Sequence, residues 1–99
     1  IYDQGDSVRL MTMVARDLDL VAKRYPGRSM AAQVSSLKNE LVDEEDFAPS
    51  TPPERVLADV YTLYQQRLRE AHALDFDDLI MTTVHLLQAF PDVAEHYRR

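Results

Sequence analysis

Thr51-Pro52-Pro53-Glu54, opening the stretch TPPERVLADVYTLYQQRLRE (residues 51–70), decides the fold class of this chain. Two prolines directly after a threonine suit the first turn of a helix, where no backbone N–H is needed and φ is already set. Thr51 is the expected N-cap, with Glu54 three residues on closing a capping box. Behind this start, Leu57, Val60, Tyr61, Tyr64, Leu68 and Ala71 recur at the three- and four-residue steps of one helix face. The spacing therefore predicts a long amphipathic helix with one buried stripe.

Outward from that helix the same period repeats. Upstream, a helix from about Asp6 to Leu18 carries Val8, Met11, Ala15 and Leu18 on one face, with Asp6 as its cap, and Pro26-Gly27 interrupts the helical pattern. Ser29 then caps a second helix with Met30, Val34, Leu37 and Leu41 on its apolar face. The segment Val42–Ser50, with the acidic run Asp43-Glu44-Glu45-Asp46, reads as a solvated connection. Downstream, Asp75 caps a fourth helix presenting Phe76, Leu79, Ile80, Thr83, Leu87 and Phe90. Pro91 ends it, and Asp92–Tyr97 forms a last short helix. No alternating β-branched run supports a strand. The expectation is an all-α fold over residues 1–99, a small bundle of four to five helices, with Leu57, Val60, Tyr64 and Leu68 buried against Leu79, Ile80 and Leu87.

Composition narrows the function. The 99 residues suit one domain, and without cysteine the chain has neither disulfides nor thiolate metal sites, as a cytoplasmic protein would. No apolar run approaches the roughly 18 residues that cross a bilayer. The chain starts at Ile1 rather than Met, which reads as a cut within a longer protein. The net charge of −6 argues against nucleic acid, but its distribution does not. Residues 1–38 hold six bases and four acids, a balance of +2, whereas residues 39–60 hold one base and seven acids, a balance of −6.

Catalytic motifs are missing from the pattern. Gly5 and Gly27 are the only glycines, too few for a phosphate-binding loop. His72, His85 and His96 sit in no ligand-spaced motif. The carboxylates Asp75, Asp77 and Asp78 could hold a metal or serve acid–base chemistry, but acids at a helix start are expected as caps and dipole partners. Two features suit nucleic acid. Lys23-Arg24-Tyr25-Pro26-Gly27-Arg28 gathers three cations and an aromatic into one turn, which either binds phosphates or is a solvated connection. Phe76, in a first helical turn, either stacks on an unpaired base or opens its helix's core face.

The stretch ALDFDDLI (73–80) resembles a hallmark of the UvrD/PcrA/Rep helicases of superfamily 1. IYDQGDSVRL (1–10), VSSLKNEL (34–41), DVYTLYQQRLRE (59–70) and FPDVAEHYRR (90–99) are similar, in order, to successive segments of that family's helical 1B subdomain and its borders, most of all in the PcrA branch. The resemblance covers essentially the whole chain. It implies an ATP-driven 3′→5′ motor acting in DNA repair or replication, with ATP and Mg held between two RecA-like domains outside these residues. The chain itself would carry no ATPase residue and no cofactor. On matching positions, Phe76 would line a pocket for a base of the single strand, and Lys23 and Arg24 would touch the duplex at its junction. Arg28 closes the same basic turn, and Pro26-Gly27 departs from the family pattern there. Lys38 matches a family lysine that serves either DNA or packing. The competing expectation is a structural or protein-docking insert whose contact surface is the acidic segment 39–60.

Overall fold

Pro52 and Pro53 begin a helix in the computed structural model, as their fixed φ favours, and Thr51 Oγ1 accepts the Glu54 N–H at 3.3 Å. The capping box, however, is displaced by one residue. Glu54 accepts the Ser50 N–H at 3.0 Å and the Ser50 hydroxyl at 2.7 Å instead of reaching back to Thr51. The structure describes residues 1–90 and Asp92. Their regular structure comprises α1 (Gln4–Asp17), α2 (Gly27–Asn39), α3 (Pro52–Glu70) and α4 (Phe76–Ala89). There is no sheet among the described residues; a single parallel bridge joins Tyr2 to Asp75. Pro91 and most of the predicted Asp92–Tyr97 helix lie outside the described residues.

The start of α1 is three residues earlier than expected. Asp3 is the N-cap and Asp6 the third helical residue, and each carboxylate accepts the other's backbone N–H. In α2 the start is Gly27, with Pro26 as N-cap, rather than Ser29. The reason is packing. A Cβ on Gly27 would lie 2.0 Å from Thr12 Oγ1 and 2.9 Å from the Val8 carbonyl oxygen, so only glycine lets α2 begin this close to α1.

Three helices end alike. Asp19, Leu41 and His72 take positive φ (58°, 61° and 52°) just beyond α1, α2 and α3. In each case the following N–H reaches five residues back: Leu20 to Ala15, Val42 to Leu37 and Ala73 to Leu68, all at 2.9 Å. These are Schellman ends built without the usual glycine.

The core is made by three helices. Met11, Val14 and Ala15 of α1 and Met30 and Val34 of α2 close on Leu57, Val60, Tyr61, Tyr64 and Leu68 of α3. The α3 stripe is thus buried as its spacing predicts, except that Ala71, its last member, is exposed at the helix end. Tyr61 secures the acidic connection by donating its hydroxyl to the Val42 carbonyl at 2.9 Å, and Phe47 packs on the core. The fourth helix departs from expectation. No residue of α4 belongs to the core cluster, and Ile80, Leu86 and Phe90 are exposed at 42%, 48% and 56%. Leu79 and Leu87 are only half-buried, and α4 packs on α2 rather than on the α3 stripe. The interior space that α4 would fill is already taken by α1 and α2.

Candidate functional site

A buried charge cluster fastens the start of α4. Lys38 on α2 is fully enclosed, and its Nζ lies 2.7 Å from Asp75 Oδ2 and 2.8 Å from Asp78 Oδ1. Asp75 is the N-cap of α4 and Asp78 its third residue, and the two exchange backbone N–H bonds in a capping box at 2.8 and 3.2 Å. The Tyr64 hydroxyl donates to Asp75 Oδ2 at 2.7 Å and stands 3.0 Å from Ser7 Oγ. Having one proton, it must accept from Ser7 while it donates to the carboxylate. The ammonium also faces the rings of Tyr64 and Tyr61, at 5.2 and 5.9 Å from their centroids.

Burial by itself would raise Asp75. The Lys38 hydrogen bond and charge, helped by the Tyr64 hydroxyl, outweigh it and hold the carboxyl below its usual range. The Tyr61 and Tyr64 phenols are pushed up, chiefly by burial, and stay protonated.

This arrangement bears on two sequence alternatives. Lys38, a candidate for a phosphate contact, is closed off from solvent and paired with two carboxylates. The Asp75, Asp77, Asp78 triplet has two of its carboxylates committed to Lys38, and among the described residues no group of three His, Cys, Asp or Glu is placed to hold a metal. Sequence reasoning named all three charged residues of the cluster but could not pair them, since Lys38 and Asp75 are 37 positions apart.

Immediately after this anchor the chain turns a large ring outward. Phe76 is 63% exposed and forms one wall of an open cleft of about 440 Å³ between the ends of α1, α2 and α4. Tyr2, Ser7, Ser35 and Asp77 line it, with Arg28 from the first turn of α2. Apolar wall, hydroxyls and one guanidinium suit a flat aromatic ligand carrying an anionic group near Arg28, while the Asp3, Asp75 and Asp77 carboxylates on the same lining repel an anion from the rest of the cleft. Arg28 also borders a shallower depression with Gln4, Val8 and Arg9, so a second cation stands nearby. Arg9 pairs with Asp6 and was not singled out from sequence, where the two look like an ordinary helix-surface pair.

Arg28 and Phe76 are therefore brought together, while Lys23 and Arg24 are not part of this cleft. These two are exposed in the turn between α1 and α2, which closes through Arg24 and Tyr25 N–H bonds to the Val21 carbonyl. The Arg24 guanidinium lies over the Tyr25 ring at 5.6 Å, and among the described residues Lys23, Arg24 and Arg28 form no ion pair. Gly5 and Gly27 both sit within helices, so neither builds a phosphate loop.

The chain is similar along its whole length to known proteins. The family model described as UvrD/REP helicase N-terminal domain matches residues 1–99. A Mycobacterium leprae protein named ATP-dependent DNA helicase UvrD1 is 52% identical over 104 residues, covering 100% of this chain and 13% of its own length. The Mycobacterium tuberculosis (strain H37Rv) protein of that name is 52% identical, covering 100% of this chain and 14% of the relative. The Bacillus subtilis ATP-dependent DNA helicase PcrA is 38% identical over 101 residues, again 100% of this chain and 14% of the relative. The likeness is thus greater to these UvrD1 proteins than to this PcrA, and the chain spans about one seventh of either.

Proposed function

The chain belongs to the UvrD/REP helicase N-terminal domain family, and on that premise we propose that it is the helical 1B subdomain of an ATP-dependent 3′→5′ DNA helicase, acting in DNA repair or replication. Within that motor it contacts DNA and reads no base sequence. ATP and Mg would be held by RecA-like domains of the longer protein, and the sequence here carries no glycine-rich phosphate loop. A cytoplasmic setting accords with this role, and no helix among the described residues is long and apolar enough to cross a membrane.

One observation carries the reading: Phe76 is held outward at 63% exposure on the same cleft as Arg28. A Phe ring held outward beside a cation suits a ligand with a flat face and a negative charge. Single-stranded DNA has both. The base would stack on Phe76 while Arg28 neutralises a neighbouring phosphate, fixing register without sequence readout. Lys23 and Arg24, on a separate exposed turn, are the phosphate contacts for duplex at the junction. The rival docking role for the acidic segment finds less support. Asp43 is spent on the N–H groups of Glu45 and Asp46, Glu44 pairs with Arg69, and Phe47 packs inward.

The test is a nuclear magnetic resonance titration of the 99-residue chain with oligothymidylate at several salt concentrations. Shifts should centre on Phe76 and Arg28, and Phe76→Ala should weaken binding by about 5- to 150-fold. Arg28→Ala should lower the salt slope by about one. Charge reversal at Lys23 and Arg24 should weaken a junction substrate more than the single strand. Binding confined to other residues, or unaffected by Phe76→Ala, would overturn the reading.

A further inference from the structure

The first turn of α4 is gripped from every other helix of the bundle. Asp75, the residue before the exposed ring, accepts Lys38 Nζ from α2 and the Tyr64 hydroxyl from α3, each at 2.7 Å. That hydroxyl is in turn 3.0 Å from Ser7 Oγ on α1. Asp78, two residues after the ring, forms an ion pair with the same Nζ at 2.8 Å. The Tyr2 N–H donates to the Leu74 carbonyl at 2.8 Å, so residues on both sides of Phe76 are tied down. Apolar packing does little of this work, because α4 contributes nothing to the core cluster, its Leu79 and Leu87 are only half-buried, and Asp78 is its only buried residue.

We infer that Lys38 is a positioning residue for single-stranded DNA: by binding Asp75 and Asp78 at once, it fixes the helix start on both sides of Phe76 and thereby aims the ring into the cleft. The inference rests on the stacking role proposed for Phe76. A greasy residue at position 38 would fill the same volume but would accept several rotations of α4. One ammonium satisfying the N-cap and the third residue together accepts a single register, the best-attested use of buried polar groups. Direct contact with DNA is excluded for Lys38, whose side chain has no exposed surface. Its effect on binding must pass through Phe76.

A double-mutant cycle with oligothymidylate reads this coupling. Lys38→Met combined with Asp78→Asn replaces one ammonium and two carboxylates by one carboxylate, leaving the cluster's charge of −1 unchanged and the Asp75 cap in place. In the unsubstituted chain, Phe76→Ala should weaken binding about tenfold. The Lys38→Met/Asp78→Asn chain should itself bind several-fold more weakly, and adding Phe76→Ala there should cost less than about twofold, the mark of coupled residues. Its salt slope should stay as in the unsubstituted chain, whereas loss of a phosphate contact would lower it by about one. Additive losses, or a lowered slope, would overturn the positioning role while leaving stacking intact. A Phe76→Ala change without effect in the unsubstituted chain would sink stacking itself, and positioning with it. Should circular dichroism show the Lys38→Met/Asp78→Asn chain unfolded, Asp78→Asn alone takes its place in the cycle. It breaks the Lys38 pair on the far side of Phe76 and keeps the one with Asp75, and additivity there counts equally against the inference.

Discussion

Replacing Lys38 by methionine alone removes the only cation from a pocket that keeps two carboxylates. Solvent cannot soften the loss, since the Lys38 side chain is 0% exposed and those of Asp75 and Asp78 are 7% and 11% exposed. Removing one partner of such a buried pair costs roughly 3–5 kcal/mol. A domain of this size is stable by only about 5–15 kcal/mol, so the loss is a large share of the total. At about 4–8 °C per kcal/mol the melting midpoint should fall by roughly 12–40 °C. Losing Asp75 removes the cap, one Lys38 partner and the acceptor of the buried Tyr64 hydroxyl together, so its expected cost exceeds the 0.5–2 kcal/mol or so of a helix cap. Neutralising all three residues together should recover most of the loss. The pH response distinguishes this cause from simple loss of packing. With Lys38 present, the Asp75 carboxyl is held below its usual range, so its contribution is complete above the unfolded carboxylate pKa near about 3.9 and disappears as pH falls through the folded value. Without Lys38, burial of Asp75 is opposed only by the Tyr64 hydroxyl and the Asp78 backbone N–H, and its carboxyl rises. The variant should then gain stability as pH falls from about 7.5 to about 5, while the parent does not, and the gap should narrow. Urea denaturation followed by circular dichroism at the two pH values measures both effects. A loss below about 1 kcal/mol at neutral pH, or a gap equal at both values, would refute the reasoning.

Gly27→Ala should destabilise by about 1–3 kcal/mol despite alanine's better helix propensity, because its Cβ meets the Val8 carbonyl oxygen at 2.9 Å; thermal melts check the sign. His72→Gly should raise stability by about 0.5–1 kcal/mol, because an exposed residue at φ 52° gives up left-handed strain of about 1–2 kcal/mol against a smaller entropic cost. Phe76→Ala should cost well under the roughly 3–5 kcal/mol of a buried Phe in the same urea assay. The 99-residue chain should release no phosphate from ATP with or without DNA, and a signal that co-purifies with the chain through successive columns would contradict this.

Local signals carried the helical reading, and tertiary packing decided where it was incomplete. The α3 stripe, its Thr51 cap and the Asp75 cap of α4 were legible because periodicity and capping involve residues no more than one turn apart. At α1 the sequence pointed to Asp6 as the cap, and the reciprocal bonding of Asp3 and Asp6 places the cap at Asp3 instead. The α2 start at Gly27 depended on how closely α1 approaches, which no local pattern encodes. The ends at Asp19, Leu41 and His72 lacked the glycine that normally announces a left-handed residue, and tolerate their strain because the closing hydrogen bonds form.

The site divides along the same line. Sequence by itself determined that the chain is helical, that it holds no phosphate loop, and that Phe76 follows a capping aspartate. It also supplied the family resemblance, through segments spread over the whole chain. Whether Phe76 pointed in or out was beyond it, since the α4 stripe of Leu79, Ile80 and Leu87 looks as apolar as a core face. Burial is a property of the neighbours, and α1 and α2 had already filled the surface of α3. The pairing of Lys38 with Asp75 and Asp78 was likewise decided in three dimensions. Charges that read as surface residues in sequence become one enclosed, mutually satisfied cluster only when two helices bring them within hydrogen-bond distance.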